Sequence, residues 1–253
     1  MAGCIVAGMI SALAWGALTS SSLVIGAYLA FARDWPKRQV GLVLAFGAGA
    51  LISAVSFELA EEGIAASSFK AVAVGLGLGA FTYYAANGLV ARRADSKSGA
   101  EDGKEASDPD SDSGTALALG AFLDGIPEQF VLGIGLAAGH GAGVGLVVAI
   151  FVSNLPEAIG SASAMLKSGS KRSEVMRLWL GVAVVCVFAT LVGYGVADSV
   201  SGELRAAVNG FAAGALLVML IDSMIPEATR TAGRQAGLLA TLGFAVATAL
   251  SQI

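Results

Sequence analysis

Four carboxylates occupy positions in this chain where water is scarce. Asp124, Glu128, Glu157 and Asp222 interrupt stretches that are otherwise almost uncharged. On membrane-insertion scales an acid near the centre of a helix costs roughly 2.5–3.5 kcal/mol, so four left to themselves would cost on the order of 10 kcal/mol. Such groups persist when they are paired, protonated, hydrated or bound to a cation. Asp124 and Glu128 are four residues apart, which puts them on one helix face about 6 Å apart along the axis. Ser153, Asn154 and Glu157 share a face of a second segment by the same rule. Both glutamates directly follow a proline, Pro127 and Pro156. A proline inside a helix removes an N–H donor and displaces the carbonyl four residues earlier, here Leu123 and Val152. Irregular backbone at membrane depth is tolerated only inside protein or beside water. Two such helices turning carboxylate, amide and hydroxyl oxygens toward each other would make a cation site on a transport path.

The elements that must hold these groups are membrane helices. The chain has 253 residues and is 56% apolar before its 34 glycines are counted, with only 13% charged residues. Ordinary soluble domains reach about 45–50% apolar with glycine included. This composition excludes a secreted disulfide scaffold, a nucleic-acid binder with a basic face and a conventional cytosolic enzyme. Apolar runs long enough to span a bilayer lie at roughly 4–31, 39–60, 70–91, 115–137, 143–166, 176–197, 205–226 and 234–252. The expected fold is therefore all-α, a polytopic membrane protein with eight transmembrane helices. With the N-terminus outside, every Lys and Arg except Lys70 and Arg205 falls in a cytoplasmic loop, which requires an even number of spans and places both termini outside.

One membrane domain results, with helices one to three in 1–91, a polar cytoplasmic linker at 92–114 expected to be disordered, and helices four to eight in 115–253. Glycines such as Gly75, Gly77, Gly79, Gly141, Gly143 and Gly145 read as close helix packing. Cys4 and Cys186 read as small core residues, and His140, the single histidine, as a solvated loop residue. The short loop around Gly139 makes the fourth and fifth spans antiparallel neighbours and brings Glu128 and Glu157 near mid-bilayer. Glu58, Glu61 and Glu62 read as a solvated span end, and Pro226-Glu227 as a helix stop. These residues leave the roles of Asp222, Glu58 and Glu227 open.

The stretches Asp124-Gly125-Ile126-Pro127-Glu128-Gln129 and Ser153-Asn154-Leu155-Pro156-Glu157-Ala158 resemble the fourth- and fifth-span motifs of the ZIP (zinc/iron-regulated transporter-like) family, in its bacterial branch. There the fourth span carries His-Asn-x-Pro-Glu-Gly and the fifth a related run ending in Pro-Glu-Gly. Phe46 to Ala50 with Ser56-Phe57 is similar to the family's second span, and Gly214 to Ala228 to its seventh. The resemblance implies Glu128, Asn154 and Glu157 as ligands of a transported metal, with Asp124 and Ser153 at ligand positions where the family has other donors. The glutamate that many bacterial members carry in the sixth span has no counterpart, and Cys186 falls near its place.

Together these readings imply a divalent metal cation transporter of the cytoplasmic membrane, with the ion as substrate and no cofactor. Family resemblance points to zinc or iron. An all-oxygen site of Asp124, Glu128, Ser153, Asn154 and Glu157 suits harder ions such as manganese. The other reading is a relative that has lost metal transport and carries another solute or acts as a sensor or scaffold. An enzyme is not expected, because neither His-Glu-x-x-His nor Gly-x-Ser-x-Gly occurs. The partners expected are the metal ion and the lipid bilayer, with no nucleic acid. A homodimer is an assembly that the sequence permits and does not decide.

Overall fold

The structure, a computed structural model, describes residues 2–99, 125–137, 144–199 and 202–251. Helix α1 is Ala2–Ala32. Helix α2 starts at Lys37–Ala54 and continues through a π-helical stretch, Val55–Glu61, into Glu62–Ala66. Helix α3 is Phe69–Gly99, α4 Gly125–Ala137, α5 Val144–Lys167 and α6 Arg172–Ser199. Helix α7 runs from Gly202–Met219 through a π-helical turn, Leu220–Met224, to Ile225–Ala232, and α8 is Gln235–Leu250. No strand occurs among the described residues. Six of these helices are long and apolar enough to cross a membrane, while α4 and α8 are shorter apolar helices.

The surface of the bundle is apolar, as lipid requires, and its largely apolar interior also holds many of the uncharged polar groups of the spans. Phe69, Phe81, Val184 and Leu238 are among the many large apolar side chains on its surface, whereas Thr19, Ser53, Glu128, Gln129, Ser153 and Asn154 are buried. Helix α1 packs along α5 and α6, α3 along α7, and α8 along α2, with α2 also lying against α5. Small residues permit this closeness. Gly75 and Gly79 abut the backbone of Ala207 and Phe211, and Gly210 and Gly214 abut that of Val72 and Leu76. Gly77 meets nothing among the described residues, because two residues of helix turn it away from the face that Gly75 and Gly79 share. Gly145 lies against Ala247 and Ser251 of α8, while Gly141 and Gly143 lie outside the described residues.

Basic residues gather at one end. Lys167 Nζ lies 3.6 Å from Asp34 Oδ1, Arg172 donates to Phe31 O at 3.4 Å, and Arg38 donates to Gln235 Oε1 at 2.7 Å. The α1–α2, α5–α6 and α7–α8 connections therefore meet on one face of the bundle. Arg205, one of the two exceptions to the charge pattern, has a local partner: its guanidinium donates to Ala137 O at 2.9 Å, at the carbonyl end of α4.

Three local expectations change. Helix α3 continues through Arg92 to Gly99, with Arg92, Arg93 and Ala94 as the good helix formers that carry it past the apolar span, and positions 100–114 of the expected linker lie outside the described residues. Pro226 does not stop its helix. The π-turn just before it absorbs the missing donor, with the Ile225 N–H reaching Leu220 O five residues back, and the helix ends only at Gly233, where φ is 60°. Glu58 is half-buried rather than solvated, and its Oε1 accepts from Ser251 Oγ at 2.8 Å. His140 lies outside the described residues.

Candidate metal centre

Helix α4 presents Glu128 one residue after Pro127, and the glutamate is fully buried. Helix α5 keeps Pro156 inside its length, with Ser153 and Asn154 fully buried and Glu157 half-buried. Glu157 is the fourteenth of the 24 residues in α5, close to its middle. The two helices meet through a side-chain hydrogen bond: Ser153 Oγ donates to Glu128 Oε1 at 3.1 Å. That hydroxyl also lies 3.0 Å from Ile150 O, so its single proton chooses between its own helix and the carboxylate. Glu157 lies one turn beyond Ser153 on the same face of α5.

Two glycines seat α5 against its neighbours. A Cβ placed on Gly47 would stand 2.8 Å from Ser153 Cα, so α2 approaches the serine as closely as a helix can. A Cβ on Gly26 would stand 2.7 Å from Leu155 O, beside the proline bond, and 2.7 Å from Ala158 Cβ. A cleft of about 220 Å³ lined by Leu29, Trp35, Val40 and Ile159 also reaches Pro156, the residue before Glu157. Neither polar atom of the Asn154 side chain has a partner among the described residues. A buried amide in that state costs about 1–3 kcal/mol unless something else binds it.

The sequence-derived donors are thus only partly assembled. Glu128 and Ser153 are in contact, Asn154 adjoins Ser153, and Glu157 follows one turn on. Asp124 lies outside the described residues. Among the described residues, no three His, Cys, Asp or Glu side chains come together closely enough to hold an ion. Cys186 belongs to a buried cluster with Leu23, Ala158 and Trp179, as expected of a core residue. Its thiol also lies within electrostatic reach of both Glu128 and Glu157, and 3.0 Å from the place of a Cβ on Gly125.

Sequence reasoning overlooked Gln129. This fully buried residue follows Glu128 directly, and its Oε1 accepts from Thr19 Oγ1 of α1 and Thr190 Oγ1 of α6, each at 2.9 Å. The available signal was a pair of threonines and a glutamine inside apolar spans, which spacing alone does not bring together.

Residues 85–251 match the family described as ZIP Zinc transporter. The chain belongs to the ZIP family. The match runs from within α3 to the end of α8 and so contains both helices of the centre. Among curated relatives, the chain is similar to zinc transporter SLC39A7 of Mus musculus and of Homo sapiens, each 27% identical over 128 residues, and to that of Canis lupus familiaris at 26%. Each alignment takes in 48% of this chain and 26% of the relative, so the ZIP chain matches about a quarter of the length of these relatives.

Proposed function

We propose that this ZIP-family protein carries a divalent metal cation across the cytoplasmic membrane, with the ion passing between α4 and α5. The observation that supports this best is the fully buried Glu128 held by Ser153 across the α4–α5 contact, with the amide of Asn154, which has no partner among the described residues, beside it. Glu128 and Glu157 together bring two negative charges into a low-dielectric interior, and one divalent cation neutralises both. Asp124, Ser153 and Asn154 supply further oxygens to replace the ion's water shell. Oxygen donors suit manganese and ferrous iron, while the names of the relatives point to zinc; all three belong to the substrate class proposed.

Uptake into proteoliposomes tests the reading. Glu128→Ala and Glu157→Ala are each expected to abolish divalent-cation uptake while leaving insertion and yield intact, since either change leaves the ion short of charge. Wild-type uptake in both variants would place the path elsewhere. If the intact protein moves no divalent ion down a gradient, the other reading gains: a ZIP relative that carries another solute or acts as a sensor. The lack of a three-donor cluster among the described residues is what keeps that reading in view.

A further inference from the structure

We propose that Gln129 is the positioning residue of the centre, setting the rotation of α4 that turns Glu128 toward Ser153; this rests on the reading of Glu128 as a metal ligand. Consecutive residues of a helix project about 100° apart. With Gln129 fastened to α1 and α6, Glu128 is aimed a little over a quarter-turn away, where Ser153 of α5 meets it at 3.1 Å. A rotation of α4 by that same angle would point the carboxylate elsewhere and carry the amide off its partners.

Part of the contact between α4 and α6 is smooth and gives little resistance to rotation of α4. Gly133 lies against the backbone of Thr190 and Tyr194, and Gly193 lies against that of Phe130. Surfaces made of glycine and backbone pack closely but resist turning poorly. The polar node supplies what this interface lacks. The carbonyl oxygen of Gln129 has two lone pairs and accepts from both threonines at 2.9 Å. For Thr190 the competing acceptor in its own helix, Cys186 O, is further away at 3.3 Å, so the bond across the interface is the shorter one. Gly16 of α1 in turn abuts Thr190, a Cβ there standing 2.9 Å from Thr190 Oγ1. Three helices are thereby fixed to one amide. The pairs Gly125–Cys186 and Gln129–Thr190 lie one turn apart on both helices, so α4 and α6 run in register alongside the node.

The test uses the full-length protein with Thr19→Val and Thr190→Val, alone and together. These variants keep side-chain shape but remove the hydroxyls, and Thr→Ser at both positions is the rescue. Two readouts are needed. The first is independent of metal: in a Cys4→Ser background, Gly125→Cys stands where oxidation can join it to Cys186, since 3.0 Å between a Cβ and the partner Sγ suits a disulfide. The double valine variant is expected to slow this trapping about tenfold, and the double serine variant to restore it. The second is the manganese or zinc concentration that gives half-maximal protection against thermal unfolding. It should rise about tenfold in the double valine variant and return with serine. Lower thermal stability with unchanged trapping and unchanged half-saturation would make Gln129 a structural pin only and overturn the inference. Failure of the metal reading shows differently: the wild-type protein itself would then gain no protection from any divalent ion, and the positioning role would fall with it.

Discussion

The close approach of α2 to Ser153 gives a sharp quantitative prediction. In Gly47→Ala the new Cβ would stand 2.8 Å from Ser153 Cα and 3.0 Å from both its N and its Cβ. Carbon atoms rest at about 3.5–4.0 Å, so α2 and α5 must part by roughly 0.7–1.2 Å at this point. No flexible side-chain end can yield, because two of the three atoms met are backbone. Overpacking of this kind costs about 1–3 kcal/mol. Alanine recovers at most about 1 kcal/mol through helix propensity, a figure measured in water. Even with the full gain, the net effect is a destabilisation of up to about 2 kcal/mol. Function should suffer more than stability. Ser153 donates to Glu128 at 3.1 Å, and a shift near 1 Å uses up the tolerance of that bond. Misplacement by 1 Å costs an enzyme site on the order of 10²-fold, and about tenfold is expected of a site that grips an ion. The assay is initial-rate uptake per correctly folded protein in liposomes, alongside thermal unfolding in detergent. Gly77→Ala is the control, since an added Cβ there meets nothing within 4 Å, and it should keep full uptake and stability. A Gly47→Ala protein as stable and as active as the control would refute the close approach of α2 to Ser153.

The other predictions are narrower. Arg205→Met removes the donor to Ala137 O and should lower the melting temperature by the equivalent of about 1 kcal/mol, as calorimetry would read it, while uptake persists. Glu227 pairs with Arg230 on the exposed surface of α7, so Glu227→Gln should change stability by less than about 1 kcal/mol and leave ion selectivity alone; a large selectivity change in competition assays would give Glu227 a place on the path. Asp124→His should move the order of competing ions toward zinc if Asp124 is a ligand, because imidazole nitrogen suits zinc better than another carboxylate. An unchanged order in a well-folded variant would remove Asp124 from the site.

Much of the architecture was legible because lipid imposes a simple code. Long uncharged runs separated by basic loops mark helices, and Arg38, Lys167 and Arg172 do meet at one end of the bundle. The i, i+4 rule likewise puts Ser153 and Glu157 on one face of α5, and proline-flanked glutamates drew attention to the contact that Ser153 makes with Glu128. What escaped were features that depend on packing between helices distant in sequence. The partnership of Gln129 with Thr19 joins residues 110 apart, and that of Glu58 with Ser251 joins residues 193 apart; neither leaves a local pattern. The π-helical stretches at Val55–Glu61 and Leu220–Met224 escaped for a related reason: one extra residue in a turn changes no composition, yet it lets α7 continue past Pro226. Gly77 shows the limit of reading small residues as packing residues, since only rotation within the bundle decides which of three nearby glycines meets a neighbour.

The central claim is that a divalent ion rests between α4 and α5 on the carboxylates of Glu128 and Glu157. Anomalous diffraction from the intact protein crystallised with manganese or zinc, collected on both sides of the metal edge, tests it most directly. The expected result is a peak about 2.0–2.2 Å from a carboxylate oxygen of each glutamate, lost in Glu128→Gln and Glu157→Gln crystals. A well-ordered site with no peak there, or a peak elsewhere that survives both substitutions, would contradict the account.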